Sequence, residues 1–344
     1  MDLTRLLLRA GAARPHVLLL PVPGWTSVRL AVEAELARRG WPLAQSPADA
    51  DVVVVAGRPG PRLSEIVEAV WHRLPAPRAR IELTDPADVG LQLDAAAAVL
   101  ANTARQRARQ HHDVGPVSHH AHEEHGEHGG LEGHGDMGPV AGIPMAGLGE
   151  DRDGLTLDRV HVPLGPLLPD WPPGLVVRVT LQGDVVQEAE AEVVDGPAAG
   201  EVDVWAGRAA ARELDALARF LGVAGWDDAA DRARRLRDDL LSGAPDERHA
   251  TQVRTLVRRV RRSRALRWLL RGLAAGDTDV GALLERRLAA VERAVRGPDA
   301  PSSPPPDLAG LARALVGADL ATLRLIVAAL DPDTEIAPAG VPHG

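Results

Sequence analysis

The sequence predicts an α/β N-terminal domain with a doubly wound, mainly parallel sheet, a His-rich linker, then an α+β part with a β-hairpin and a mainly helical C-terminal region. Three observations predict it. Over residues 15–105, continuous Val and Leu runs alternate with helical patterns, as buried parallel strands and their crossovers do. Residues 111–150 are rich in His, Gly, Glu and Pro and carry no hydrophobic period. From about residue 206 onward, apolar residues recur at helical spacing.

HVLLLPV (16–22) reads as a buried strand. After Pro23-Gly24, TSVRLAVEAELARRG has helical spacing and stops on Gly40. ADVVVVAG (50–57) is a second buried strand, and RLSEIVEAVWHRL (62–74) a helix with Ile66, Val67, Val70, Trp71 and Leu74 on one face. ARIEL (79–83) is a third strand, and DAAAAVLANTARQRARQ (94–110) a further helix. Residues 155–194 read as extended, and GLVVRVTLQGDVVQEAEAEVV holds two runs around Gln182-Gly183-Asp184, a hairpin signal. Four helical segments follow, among them an Arg-rich helix over 252–273. GPDAPSSPPP (297–306) is a hinge, and one or two short helices close the chain. The division is therefore 1–110, a linker over 111–150, a hairpin region over 151–200, helices over 201–296, the hinge, and 307–344.

With 344 residues, 45% of them hydrophobic, the chain can build more than one core. There is no Tyr and a single Phe, so Leu, Val and Ala must fill those cores around seven Trp. Every basic residue is Arg, and the net charge is -9, which argues against a general nucleic-acid binder. With no Cys, disulfides, thiolate metal sites, Cys nucleophiles and Cys-ligated iron–sulfur clusters are excluded. Arg5, Arg9 and Arg14 interrupt the N-terminal apolar runs, so the start is a poor signal peptide. No window reaches the roughly 18 apolar residues of a membrane span. The expectation is a soluble, cytoplasmic protein.

The densest chemistry is HHDVGPVSHHAHEEHGEHGGLEGHG (111–135), which holds eight of thirteen His. His119, His120, His122, His125, His128 and His134 are candidate ligands, because neutral imidazole suits Ni²⁺ and Zn²⁺. A specific site also needs ligands held in fixed geometry, which a Gly-rich polar tract does not supply. The tract reads first as a tether with adventitious metal affinity and second as a metal store or sensor. GRPGPRLSEI (57–66), between strand and helix, offers backbone N–H groups to a phosphate but matches neither a Walker motif nor GxGxxG. Its simpler reading is a tight connection. In the Arg-rich helix, Arg254, Arg258, Arg261 and Arg262 are candidate partner contacts, opposite a stripe of Val253, Leu256, Val257, Val260, Leu266, Leu269 and Leu273; such a helix can also lie on a membrane, and its simpler reading is one solvated and one packed face. The acidic stretch DDAAD (227–231) can satisfy some of that charge. Outside the tract, His16, His72 and His161 are isolated, and no nucleophile motif accompanies them. No catalytic or cofactor-binding residue is assigned.

Two segments carry a family resemblance. SPADADVVVVAGRPGPRLSEIVEAVWHRLPAPRARIELTD resembles the middle of the cluster-carrying small subunit shared by complex I and energy-converting NiFe hydrogenases. Ala56-Gly57, the helix at 62–74 and Pro75-Ala76-Pro77 match that family's order and spacing. VHVPLGPLLPDWPPGLVVRVTLQGDVVQEAEAEVV resembles the start of the partner large subunit, where G-P-x-H-P precedes a β-hairpin. The helices after 206 resemble that subunit's helical core. In the family a Cys pair after the first strand holds an iron–sulfur cluster, where this chain reads PVPGWTS (21–27). A later cluster Cys is replaced within LTDPADVG (83–90), and the motif histidine, which lines the quinone site in complex I, aligns with Leu168. The Ni–Fe ligands, being Cys, are absent. The resemblance implies a fused small-like and large-like chain with no inherited redox centre, and it is not expected to be an enzyme on its own. It would act as an accessory or structural subunit beside hydrogenase or complex I-like partners, including membrane-arm subunits. Such a complex would hold it at the inner face of the cell membrane. The alternative is a Ni- or Zn-handling accessory protein working through the His tract.

Overall fold

The computed structural model describes residues 14–102, 147–150, 156–197, 204–243, 247–296 and 307–335. The His tract and the 297–306 hinge lie outside the described residues. The first half is a parallel sheet of β1 (Val17–Pro21), β2 (Val52–Ala56) and β3 (Ala79–Leu83), in that order. All five residues of β2 are buried, as the unbroken Val run requires of a strand covered on both faces.

Helices cover both faces. Val17, Val52, Val54 and Ile81 pack with α1 (Thr26–Arg39) and α3 (Val89–Ala101). Leu18, Leu20, Val53 and Val55 face α2 (Pro61–Arg73) through Leu63 and Val67. The chain reverses its winding at β1 by way of a rudimentary strand: Val17 bridges Leu43 in parallel on its free edge. The Val17 amide donates to Pro42 O and the Ala44 amide to Val17 O, both at 2.9 Å. The first crossover therefore runs outward from β1 and the later ones run the other way, which places their helices on opposite faces. α1 stops where Gly40 enters the left-handed region at φ 67, and α2 begins on Pro61.

The second half opens with an antiparallel sheet, β4 (Gly147–Glu150), β5 (Thr156–Leu164), β6 (Leu175–Gln182) and β7 (Val185–Val193), paired in chain order. The β6–β7 hairpin turns through Gly183-Asp184, with Gly183 at φ 62. Leu175, Val177, Val179 and Leu181 of β6 enter the main core with α4 (Ala209–Val223), α5 (Asp227–Ser242), α6 (Glu247–Arg262), α8 (Val280–Arg296), α9 (Leu308–Leu315) and α10 (Leu320–Leu330). The opposite side of the same sheet sends Val176 and Val194 into the core beneath α2, so the two halves share apolar packing.

Four features depart from the expectations. The helix expected at 94–110 begins at Val89, and residues beyond 102 lie outside the described ones. The Arg-rich helix expected over 252–273 is broken: α6 ends at Arg262 and α7 (Arg264–Leu269) starts anew. Ser263 makes the break, because its Oγ accepts from the Leu266 amide at 3.2 Å and its own backbone is extended at ψ 113. The phase change turns Leu269, expected on the buried stripe, 40% out to solvent. A two-residue ladder, β8 (Ala274–Ala275) with β9 (Thr278–Asp279), stands between the helical segments read to 273 and from 279. β4 falls within the stretch that showed no period, since it consists of four residues with two Gly.

Candidate functional site

In an open α/β sheet a ligand crevice forms beyond the carboxyl ends of the strands, where the winding reverses. Here that place lies between the loop after β1 (Val22-Pro23-Gly24-Trp25) and the loop after β2 (Gly57 to Gly60). The protein fills it with its own side chains. At Gly57, φ 123, a Cβ would lie 2.4 Å from the Trp25 ring. At Gly174 a Cβ would lie 2.4 Å from Pro23, and at Gly60 it would lie 2.5 Å from Asp195. Asp195 accepts from the Leu63 amide at 2.7 Å, at the N-terminus of α2. Glu335 accepts from the Gly24 amide before α1. Within the 57–66 stretch read as a phosphate cradle, the Leu63 amide thus faces a carboxylate from the second half of the chain. The residues at 21–27 do not fit an iron–sulfur cluster either: no thiolate is present and an indole stands against Gly57.

Beside this seam lies a buried ionic cluster. Arg29 of α1 grips Asp215 of α4 with both terminal nitrogens, at 3.2 and 2.9 Å, and reaches Glu33 at 2.8 Å. Arg237 of α5, wholly buried, donates to Asp215 at 2.6 Å and to Glu33 at 2.7 Å. Arg219 joins Asp215 at 3.4 Å to Asp331 at 2.7 Å, and Arg287 joins Glu213 at 3.2 Å to the Ala329 carbonyl at 3.1 Å. Taking these ions out of water costs several kcal/mol each, and only mutual pairing offsets that. Burial alone would raise Glu33 and Asp215, but Arg29 and its neighbours outweigh it. Glu33 falls to about 2 and Asp215 is held far below the usual carboxylate range. Asp170 and Glu335 go the other way: burial raises them against the pull of Arg234 and Arg29.

The cluster floors a cleft of about 530 Å³ between the halves. Its apolar wall includes Leu19, Trp41, Leu167 and Leu168, and the exposed end of α5 supplies Asp227, Asp231 and Arg235. The size suits a small molecule. Among the described residues its lining holds carboxylates and guanidinium groups, with no Ser, Thr, Cys or His to serve as nucleophile or imidazole base.

Among the described residues, the sequence-predicted arginines do not line this cleft. His119, His120, His122, His125, His128 and His134 lie outside the described residues. Among the described residues, no group of three or more His, Asp or Glu is placed to hold a metal ion. Arg261 is engaged within the chain, by Glu285 at 2.9 Å and Glu292 at 3.0 Å on α8. Arg254, Arg258 and Arg262 are exposed, and Arg254 donates to Thr251 Oγ1 at 2.9 Å. The acidic stretch 227–231 does satisfy some of the charge: Asp228 pairs with Arg259 at 2.8 Å. Missed at the sequence level were Asp195, Glu335 and the Asp215 cluster. One signal was present, since Glu213 and Asp215 occur in ELDALARFL at positions the helix buries.

No protein-family model, no curated protein and no solved structure matches this chain.

Proposed function

We propose that this chain is a cofactor-free, non-redox accessory or structural subunit, related to the peripheral arm of hydrogenase and NADH–quinone oxidoreductase-type complexes. In this reading small-like and large-like parts are fused, and their mutual packing is what has been kept. One observation carries it: the crevice where this type of sheet takes a ligand is closed by Trp25, Asp195 and Glu335 of the same chain. A protein that fills its own ligand crevice and pairs its buried charges across the seam is built to hold a shape. Leu168, aligned with the family's motif histidine, lines the cleft between the halves. Affinity purification at native expression level tests the reading. Co-purification with hydrogenase-like or complex I-like subunits is expected, with no iron–sulfur absorbance from this chain. Recovery as a lone monomer would count heavily against it.

The density of His at 111–135 supports a second reading, a Ni- or Zn-handling accessory protein. Deleting residues 111–135 separates the two. If partner binding persists while metal content falls, the tract is ancillary. If the cellular phenotype vanishes with partner binding intact, metal handling is the function.

A further inference from the structure

The surface around α6 and α7 combines two features found together nowhere else among the described residues: a row of arginines that no described carboxylate neutralises, and a large exposed aromatic. On α6 the apolar stripe Val253, Leu256, Val257 and Val260 is at most 1% exposed, so that face belongs to the core. The arginines flanking it find partners on neighbouring helices, Arg259 with Asp228 on α5 and Arg261 with Glu285 and Glu292 on α8. The outward row does not. Arg254, Arg258 and Arg262, spaced four residues apart on one helical face, are exposed, and no described acidic group lies within ion-pair distance.

After the Ser263 break α7 carries a further exposed arginine, Arg267, and puts Trp268 at 73% and Leu269 at 40% exposure. α7 is held down only by Leu266 and Leu270, at 5% and 4% exposure, which leaves its other side free. In a chain of net charge -9 this is a local reversal of sign, so it attracts an anionic surface that the rest of the molecule repels. The exposed indole and its Leu neighbour decide which one. Trp268 and Leu269 are adjacent and exposed, and neither lines the cleft described above. An indole beside cationic side chains is the composition that settles at the headgroup level of a bilayer.

We propose that Arg254, Arg258, Arg262, Arg267, Trp268 and Leu269 form a peripheral docking face for an anionic lipid bilayer. The arginines engage headgroup phosphates, and Trp268 enters the interface with Leu269. No span is involved, in keeping with the absence of any described helix long and apolar enough to cross a membrane. The proposal does not rest on the subunit reading: it concerns direct contact of this chain with lipid, and vesicles test it without any partner protein.

The experiment is co-sedimentation of the full chain with phosphatidylcholine vesicles and with vesicles containing half phosphatidylglycerol, at low and high salt. Binding is expected only to the anionic vesicles, and it should weaken as salt rises. At about fivefold per arginine, R258Q/R262Q/R267Q should weaken it on the order of 100-fold. Brominated lipid should quench part of the tryptophan fluorescence of the native chain, and that part should vanish in Trp268→Ala. Arg313→Gln, on the exposed side of α9, serves as the control and should bind as the native chain does. Unchanged circular dichroism establishes that each variant is folded, since every substituted side chain is exposed. Failure to bind anionic vesicles, equal binding to neutral ones, or indifference to the triple substitution would overturn the proposal. Binding to a single-stranded oligonucleotide in place of vesicles would overturn it too and reassign the face to nucleic acid.

Discussion

Asp215 accepts charge-assisted hydrogen bonds from Arg29 and Arg237 and pairs with Arg219, and it is 1% exposed. Removing it leaves the buried guanidinium groups of Arg29 and Arg237 to share Glu33, with Asp238 beside Arg237, and takes one of two carboxylates from Arg219. Asp215→Ala should therefore cost about 3–5 kcal/mol, read as a fall in the urea midpoint. The pH dependence follows from the same residues. Glu33 drops from an ordinary value of 4.5 to about 2 on folding, and Asp215 moves in the same direction. A carboxyl lowered in the folded state stabilises above its unfolded value, and that contribution is lost as pH falls through the folded one. Glu33 alone accounts for on the order of 3 kcal/mol. Asp170 and Glu335, raised on folding, bind protons more tightly in the native state and partly offset the loss. Equilibrium unfolding should show stability falling from about pH 5 toward pH 2, and a flat profile over that range would exclude this account of the cluster.

At the level of elements, two local devices set geometry that the hydrophobic pattern does not contain. Ser263 ends α6 and starts α7, and so aims Trp268 outward. Ser263→Ala should cost about 1 kcal/mol in melting experiments, the usual worth of an N-cap hydroxyl. Gly57 lets the β2 loop close on Trp25. Gly57→Ala puts a methyl group 2.4 Å from the ring carbon at φ 123, so a loss of at least about 2 kcal/mol is expected. Most elements were legible because their signals are local. Val52–Ala56 is a strand from its unbroken apolar run, and Gly183-Asp184 marks a hairpin by turn chemistry. The exceptions are those whose identity depends on neighbours. Leu43 pairs with β1 through a single bridge, β4 is four residues long, and the Ser263 cap competes with a helical pattern running on both sides of it.

For the molecule as a whole, the halves share the core beneath α2 and the Arg29–Asp215–Arg237 cluster, so they should unfold together. A protease site inserted between His119 and His134 gives a direct test. After cleavage the two fragments should co-elute on gel filtration and separate only in denaturant. Fragments that part in native buffer would show that the seam is too weak to define one unit.

By itself the sequence determined the alternation of buried strands and helices, the hairpin, the run of C-terminal helices and the exclusion of every thiolate chemistry. Each of these is written in residue type or in spacing over a dozen positions. Only the tertiary structure decided which charges became partners, because Arg29 and Asp215 are 186 residues apart and their meeting depends on the path of the chain. It also decided that Asp195 would cap α2 from 132 residues away, so that the crevice a parallel sheet leaves for a ligand is filled from within. Burial selects these pairings, since an unpaired ion in the seam costs several kcal/mol, and no local pattern records which distant residue will relieve it.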